Sequence, residues 1–294
     1  MTGSKSGVRA IISKVRSPLP AILVLCALSA VSEPPSTPST HAWKLLEDGL
    51  TQKALATRMA AVHALGLLPN MPRAESLAEK ALNDSEKDVR AEAAGALGRM
   101  GAQVARPKLR IALHDKEVKV VIASANALYQ LKDPAAYQVY YALLTGNQKA
   151  NSGLIHTQMD TLKDRKQVEK MALEAGIGFV PFGGIGYEAW KTITRDDVSS
   201  VRAAAATGLA SDPDPKSGAA LVDSCSDKKW QVRTAVVEAI ARRGDPTLLG
   251  PVEALIGDEN ITVRFDAAAA VVHLSSLQRT PPTVPNKRAV PLGK

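Results

Sequence analysis

Side chains that could perform chemistry are scattered along the sequence. A zinc site needs His, Cys or carboxylate ligands at suitable spacing, and a hydrolase serine needs a context such as GxSxG. Cys225 has no obvious activating partner and is expected to pack at a helix end. Four serines lack a nucleophile context, and five histidines form no i, i+4 pair and no HExxH: Ser152, Ser199, Ser224, Ser276, His41, His63, His114, His156 and His273. These spacings predict no catalytic residue, no metal site and no cofactor, and therefore a protein that is not an enzyme.

A repeat is the strongest regularity in the chain. Five segments align without gaps, and the steps 84 to 115, 196 to 227 and 227 to 258 are each 31 residues. In each unit a valine leads an apolar stripe at helical spacing, so one face is buried. Three units continue with Asp-Pro, where Asp can cap a helix and Pro fits its first turn. Each unit is therefore predicted to be a helical hairpin.

Composition supports the same architecture. Alanine is abundant and aromatic residues make up only 4% of the chain, which suits helices that pack closely through small side chains. We expect an all-α fold, an α-solenoid of helical hairpins with an irregular helical insertion.

The repeated Asp, the "VR" that follows it and the closing "ALG"-like apolar pair resemble the HEAT repeat, more narrowly the bacterial HEAT-like repeats of the phycobilisome lyase type. The resemblance covers residues 43–144 and 195–276, and "ATRMAAVHALGLL" from Ala56 is a degenerate first copy. It implies that the repeated Asp and Arg are structural and form a hydrogen-bonded ladder between neighbouring units. On this sequence the ladder comprises Asp84, Arg90, Asp115, Asp196, Arg202, Asp227, Arg233, Asp258 and Arg264.

Residues 145–194 interrupt the array and contain the glycine-rich stretch "GIGFVPFGGIGYEAW" at 176–190. One interpretation is an apolar tip that docks a partner or the membrane surface. The other is that its side chains fill the gap left by the irregular repeat, with glycines letting helix ends approach closely. The stretch has no Gly-Lys-Ser/Thr, which argues against phosphate binding. Its candidate contact residues are Phe179, Phe182, Tyr187 and Trp190.

Residues 1–32 have the pattern of a secretory signal peptide. Four basic residues and no acid precede the apolar run "AILVLCALSAV". That run of eleven residues is short for a transmembrane helix, which needs ~20. We expect export to the periplasm or envelope, with cleavage after Ala30 or Ser32; the alternative is an uncleaved inner-membrane anchor. Residues 33–42 are expected to be a linker, and 277–294 a disordered, basic, Pro-rich tail.

The exposed ridge of the second helices can be read from register, as positions 2, 5 and 9 after the repeated arginine. These positions include Glu92 and Asp266 and are mixed in charge rather than basic. With few aromatics for stacking, nucleic-acid binding is not expected. A protein or peptide partner fits better. The partner-binding candidates on the ridge are Arg99, Gln130, Glu238 and Arg242.

The leading functional hypothesis is an exported, non-catalytic scaffold that binds another protein or peptide through its concave face. The resemblance to lyase-type repeats implies an alternative, an accessory subunit that holds or delivers a substrate to an enzyme. Bound pigment would favour that alternative. A third hypothesis is a membrane-surface protein, with membrane contact only through the N-terminal segment or residues 176–190.

Overall fold

Helical hairpins make up the regular structure of the described residues. The computed structural model describes residues 37–145 and 198–279. The first range contains α1 (Pro38–Leu50), α2 (Leu55–Leu65), α3 (Pro72–Ala81), α4 (Lys87–Met100), α5 (Arg106–Ala112), α6 (Val118–Gln130) and α7 (Ala135–Thr145). The second contains α8 (Ser199–Leu209), α9 (Pro215–Asp223), α10 (Trp230–Arg243), α11 (Leu249–Ala254) and α12 (Ile261–Arg279). The predicted all-α solenoid is confirmed.

Two boundaries differ from those expected. Helix α1 begins at Pro38, inside the predicted linker 33–42, because the Thr37 side chain accepts a hydrogen bond from the Thr40 backbone and Pro38 fits the first turn. Helix α12 continues to Arg279, into the predicted tail 277–294. Outside the described residues lie the N-terminal segment, Asp196, and the insertion with Phe179, Phe182, Tyr187 and Trp190. In the described ranges, no helix has the length and apolarity to cross a membrane.

The Asp-Pro pairs begin helical segments as their chemistry suggests. The Asp214 carboxylate accepts a hydrogen bond from the Lys216 backbone N–H at 2.9 Å, at the start of α9. The Asp245 carboxylate accepts one from the Thr247 N–H at 3.0 Å. These caps satisfy backbone donors that a helix leaves without a partner at its first turn.

The second helices of the hairpins form a continuous row, called here the inner row. Each helix packs against the next in the order α8, α10, α12, α2, α4, α6. Most alanines on these helices are buried, which lets the helix axes approach closely. The spatial order differs from the chain order, because α12 packs against α1 and α2 as well as α10. The contact between α12 and the first hairpin is called the junction.

The junction has an apolar centre. Phe265 of α12 is only 3% exposed, and its ring packs against Gly49 of α1. A Cβ atom at Gly49 would overlap that ring and would also lie 2.9 Å from the Cβ of Ala61. Gly49 therefore supplies the space that the aromatic ring occupies.

Arginine–aspartate pairs join neighbouring units. The Arg233 guanidinium donates to both carboxylate oxygens of Asp258 at 2.7 Å. Its remaining nitrogen donates to the Asp227 carbonyl in its own unit. Burial acts to raise the pKa of Asp258, but hydrogen bonds from Arg233 and the Asn260 backbone outweigh it, so the pKa lies below its usual value. Arg90 holds Asp115 in the same bidentate manner.

The arginine–aspartate pairs differ in burial, and among the predicted arginines Arg264 contacts carbonyl oxygens of its own unit. Arg58, in the degenerate first copy, pairs with Asp84 at 2.9 Å. Arg202 donates to Asp227 at 3.1 Å from a side chain that is 46% exposed. Arg264 donates to the carbonyl oxygens of Asp258 and Glu259 in its own unit. Arg58, Arg90, Arg233 and Arg264 thus each hold a loop of their own unit. Of these, Arg58, Arg90 and Arg233 also pair with the aspartate of the next unit, as Arg202 does.

The Asp258→Asn substitution is expected to lower the free energy of unfolding by about 3 kcal/mol, because it removes the charge that balances a buried guanidinium. The side chains of Arg233 and Asp258 are only 8% and 6% exposed. Urea denaturation measures the change. The matched control Asp227→Asn, whose partner Arg202 is exposed, should cost about 1 kcal/mol or less. Equal losses in the two variants would contradict this prediction.

The Gly49→Ala substitution is expected to lower the free energy of unfolding by about 1–3 kcal/mol, because the new methyl group must displace the Phe265 ring. Gly208 lies in α8, and among the described residues no atom lies within 4 Å of an added Cβ. The control Gly208→Ala should therefore stabilise the chain by about 1 kcal/mol or less. Chemical denaturation of both variants provides the comparison, and a neutral Gly49→Ala would show that the junction is loosely packed.

Candidate functional site

Polar side chains from four adjacent helices of the inner row meet at the junction. This junction cluster comprises His63 on α2, Glu92 and Arg99 on α4, Glu238 on α10 and Asp266 on α12. The His63 Nδ1 lies 2.9 Å from Glu92 Oε1, and its Nε2 lies 3.3 Å from Glu238 Oε1. Residues 175 positions apart in the chain are thus in direct contact.

The repeat register explains why these side chains share a face. Glu92 and Asp266 both lie two residues after the repeated arginine, and His63 and Glu238 both lie five residues after it. Arg99 lies seven residues, about two turns, beyond Glu92 on α4. Three of the four helices therefore present one cluster position to their neighbours in the row, and α4 presents two, Glu92 and Arg99.

Asp266 is the buried member of the cluster. Its side chain is 0% exposed, and neither carboxylate oxygen has a hydrogen-bond partner among the described residues. Burial raises its pKa to about 8, against the opposing effect of the positive charges on His63 and Arg99. An ionised carboxylate at this depth requires a nearby positive charge.

His63 lies between two acids. Burial and the Arg99 charge lower its pKa, but hydrogen bonds with Glu238 and Glu92 outweigh them and raise the pKa to about 10. Burial acts to raise the pKa of Glu92, but the Arg99 and His63 charges outweigh it and hold that pKa well below its usual range. The pKa of Glu238 is likewise lowered, chiefly by its hydrogen bond with His63 acting against burial.

Arg99 completes the polar contacts of Glu92. Its Nη2 donates to Glu92 Oε1 at 2.8 Å and to the His63 carbonyl oxygen at 3.3 Å. The same nitrogen lies 3.3 Å from His63 Nδ1. One carboxylate oxygen of Glu92, Oε1, therefore contacts both a guanidinium and an imidazole.

Within the described ranges, one group of side chains has the composition and spacing to hold a metal ion. The ligand atoms of His63, Glu238 and Asp266 all lie within 4.8 Å of one another. His63 and Glu238 are half-buried, while Asp266 lies beneath them. The cluster can therefore act either as a network of ion pairs or as a cation site reached from the inner row.

The four ridge candidates are divided between two places. Glu238 and Arg99 belong to the junction cluster, and exposed Arg242 lies one turn beyond Glu238 on α10. Gln130 is exposed at the end of α6 beside Tyr129, which is 50% exposed. The structure thus brings three candidates to the junction and leaves Gln130 at one end of the inner row.

Cys225 occupies the short 3₁₀ helix Ser224–Ser226 that follows α9 and is buried there. Its Sγ lies 3.6 Å from the Leu221 carbonyl oxygen. Burial raises the pKa of the thiol to about 11, so the reactive thiolate is scarce at neutral pH. This environment matches a packing role.

The junction cluster was missed from the sequence. The ridge positions included Glu92, Glu238 and Asp266, but the degenerate first copy was not placed on the ridge, so His63 was counted only as an isolated histidine. Counting five residues from Arg58, as from Arg233, would have placed His63 on the ridge. The contact between α12 and α2 has no such local signal.

A sequence model of HEAT repeats matches residues 74–150 and 188–272, which is more than half of the chain. The chain therefore belongs to the HEAT-repeat family. None of the curated proteins compared with it matches its sequence.

Solved structures of repeat proteins are similar to the chain. The complex of CpcE and CpcF of phycocyanin lyase from Nostoc sp. PCC7120 is 20% identical, with coverage of 85% of this chain and 97% of that chain and a TM-score of 0.33. A designed armadillo repeat protein is 16% identical, with 79% and 98% coverage and a TM-score of 0.24.

Proposed function

We propose that this HEAT-repeat chain is an exported, non-catalytic scaffold that binds another protein or a peptide along the inner row. The observation that carries the proposal is the continuity of that row. Each of its helices packs directly on the next, whereas no two first helices of neighbouring hairpins pack to a similar extent in the described ranges. Such unequal spacing curves an array towards its more closely packed side, which makes the inner row a concave surface.

The chemistry of the inner row supports a polypeptide ligand. Exposed Arg99 and Arg242 alternate with half-buried Glu92 and Glu238, so the surface offers both donors and acceptors. Charges of both signs disfavour a polyanion such as nucleic acid, which requires a continuous basic track. Mixed polar groups with a few aromatic residues are typical of protein interfaces.

An aromatic group lies at the α6 end of the row. The Tyr129 and Tyr137 rings, 50% and 59% exposed, meet edge to face with centroids 6.2 Å apart. Tyrosine offers a partner both an apolar ring and a hydroxyl group at low entropic cost. This pair, next to Gln130, extends the proposed binding surface beyond the junction.

Photo-crosslinking tests the proposal in the cells that produce the protein. A photoreactive amino acid in place of Gln130 or Arg242 should yield the same crosslinked protein from both positions, because both side chains project from the inner row. Matched controls are Lys216 on α9 and Glu253 on α11, which are exposed on first helices. Gel mobility and mass spectrometry identify the products.

Crosslinks that form equally at the control positions, or none at the row positions, would contradict the proposal. A crosslinked partner that is itself an enzyme would favour the accessory-subunit alternative.

The proposal that the chain is exported rests on the sequence of residues 1–32, where four basic residues precede an apolar run of eleven residues. Residues 1–42 fused to a reporter enzyme that is active only after export should give activity and a new N-terminus at Val31 or Glu33. The control Leu25→Arg places a charge in the apolar run and should abolish both results, as N-terminal sequencing would show. Activity with an intact N-terminus would instead support the membrane anchor, and an inactive fusion would refute export.

A further inference from the structure

Asp266 has a buried carboxylate that the scaffold role does not explain. Its carboxylate is fully buried with no hydrogen-bond partner among the described residues. Buried polar groups are normally hydrogen-bonded, and buried charges are normally paired or bound to metal ions. One of its oxygens lies within 4.8 Å of ligand atoms on both His63 and Glu238. The unpartnered carboxylate therefore belongs to a group of converging ligand atoms.

The geometry points to a binding site for one divalent transition-metal cation of the zinc type, with His63, Glu238 and Asp266 as its ligands. This site goes beyond the proposed scaffold function and needs no partner protein. It would join α2 of the first hairpin to α10 and α12 near the end of the described chain.

The orientation of His63 supports the assignment. Its Nδ1 lies 2.9 Å from Glu92 Oε1, so a hydrogen on Nδ1 is donated to that carboxylate. A cation that binds at Nε2 displaces the hydrogen that this nitrogen shares with Glu238, 3.3 Å away, and the Nε2 lone pair then faces the site. Histidine ligands of metals almost always donate their other ring N–H to a carboxylate, a carbonyl or water. Arg99 in turn holds Glu92 at 2.8 Å.

The ligand set selects the class of ion. One imidazole nitrogen and two carboxylate oxygens suit zinc and similar first-row divalent ions, whereas magnesium and calcium take oxygen ligands. Tetrahedral ligands at about 2.1 Å from zinc are roughly 3.4 Å apart. The 3.3 Å between His63 Nε2 and Glu238 Oε1 already matches that separation. Three protein ligands leave a fourth position for water or a donor atom of another molecule.

Zinc titration of the purified full chain, stripped with a chelator and followed by equilibrium dialysis, tests the site. The wild type should bind one Zn²⁺ per chain and prefer it to Mg²⁺. The isosteric Asp266→Asn and the truncation His63→Ala each remove a ligand and should weaken Zn²⁺ binding at least about 100-fold. Glu92→Gln should weaken it about 10–100-fold, because Glu92 orients His63. The control His114→Ala alters an exposed histidine outside the cluster and should leave binding unchanged.

A thermal melt distinguishes lost ligands from lost folding. Zn²⁺ should raise the melting temperature of the wild type and of His114→Ala, because a ligand of the native state stabilises it. Asp266→Asn should melt no lower than the wild type without metal and should lose the Zn²⁺-dependent rise. If Asp266→Asn does not fold, Glu238→Gln gives the same comparison with a half-buried ligand. A wild type that binds no Zn²⁺, or binding that survives in Asp266→Asn and His63→Ala, would overturn the proposal and leave the cluster as ion pairs. Either result is independent of the crosslinking experiment.

Discussion

The packing of α12 against α1 and α2 is the contact on which the site depends. Phe265 fills the space above Gly49, and this apolar contact brings the C-terminal hairpins beside the first hairpin. Asp266 follows Phe265 directly in the chain and is carried to His63 by the same helix. Close packing therefore positions the polar groups, because helices separated by larger side chains would not let them meet.

The ladder and the junction cluster both connect neighbouring units by polar contacts, but they use different residues. Within each run of hairpins, a guanidinium connects one unit to the aspartate of the next, as Arg233 does to Asp258. At the junction the corresponding position of the first hairpin is Gln52 rather than an aspartate. Arg264 there donates to carbonyl oxygens of its own loop. The polar connection across the junction is instead made by His63, at the inner side of the row.

Local features were predictable from the sequence, and the junction was not. Period, apolar stripe and Asp-Pro pairs are properties of neighbouring residues, so the hairpins and the ridge register of Glu92, Glu238 and Asp266 followed from them. Which helices become neighbours depends on shape complementarity between Gly49 and Phe265, residues more than 200 positions apart. No periodic pattern encodes that fit. His63 was overlooked for a related reason, because the first copy has lost the aspartate that marks the register elsewhere.

The difference between spatial and chain order has a consequence for folding kinetics. In an ordinary solenoid each repeat contacts only its neighbours in sequence, so folding can begin anywhere and spread along the array. Here the middle of the inner row is formed by the first and last described hairpins, with contacts such as the one between residues 175 positions apart. Closing so large a loop costs chain entropy before the contact can compensate for it. The two runs of hairpins can form as local units, and their union is the slow, high-contact-order step.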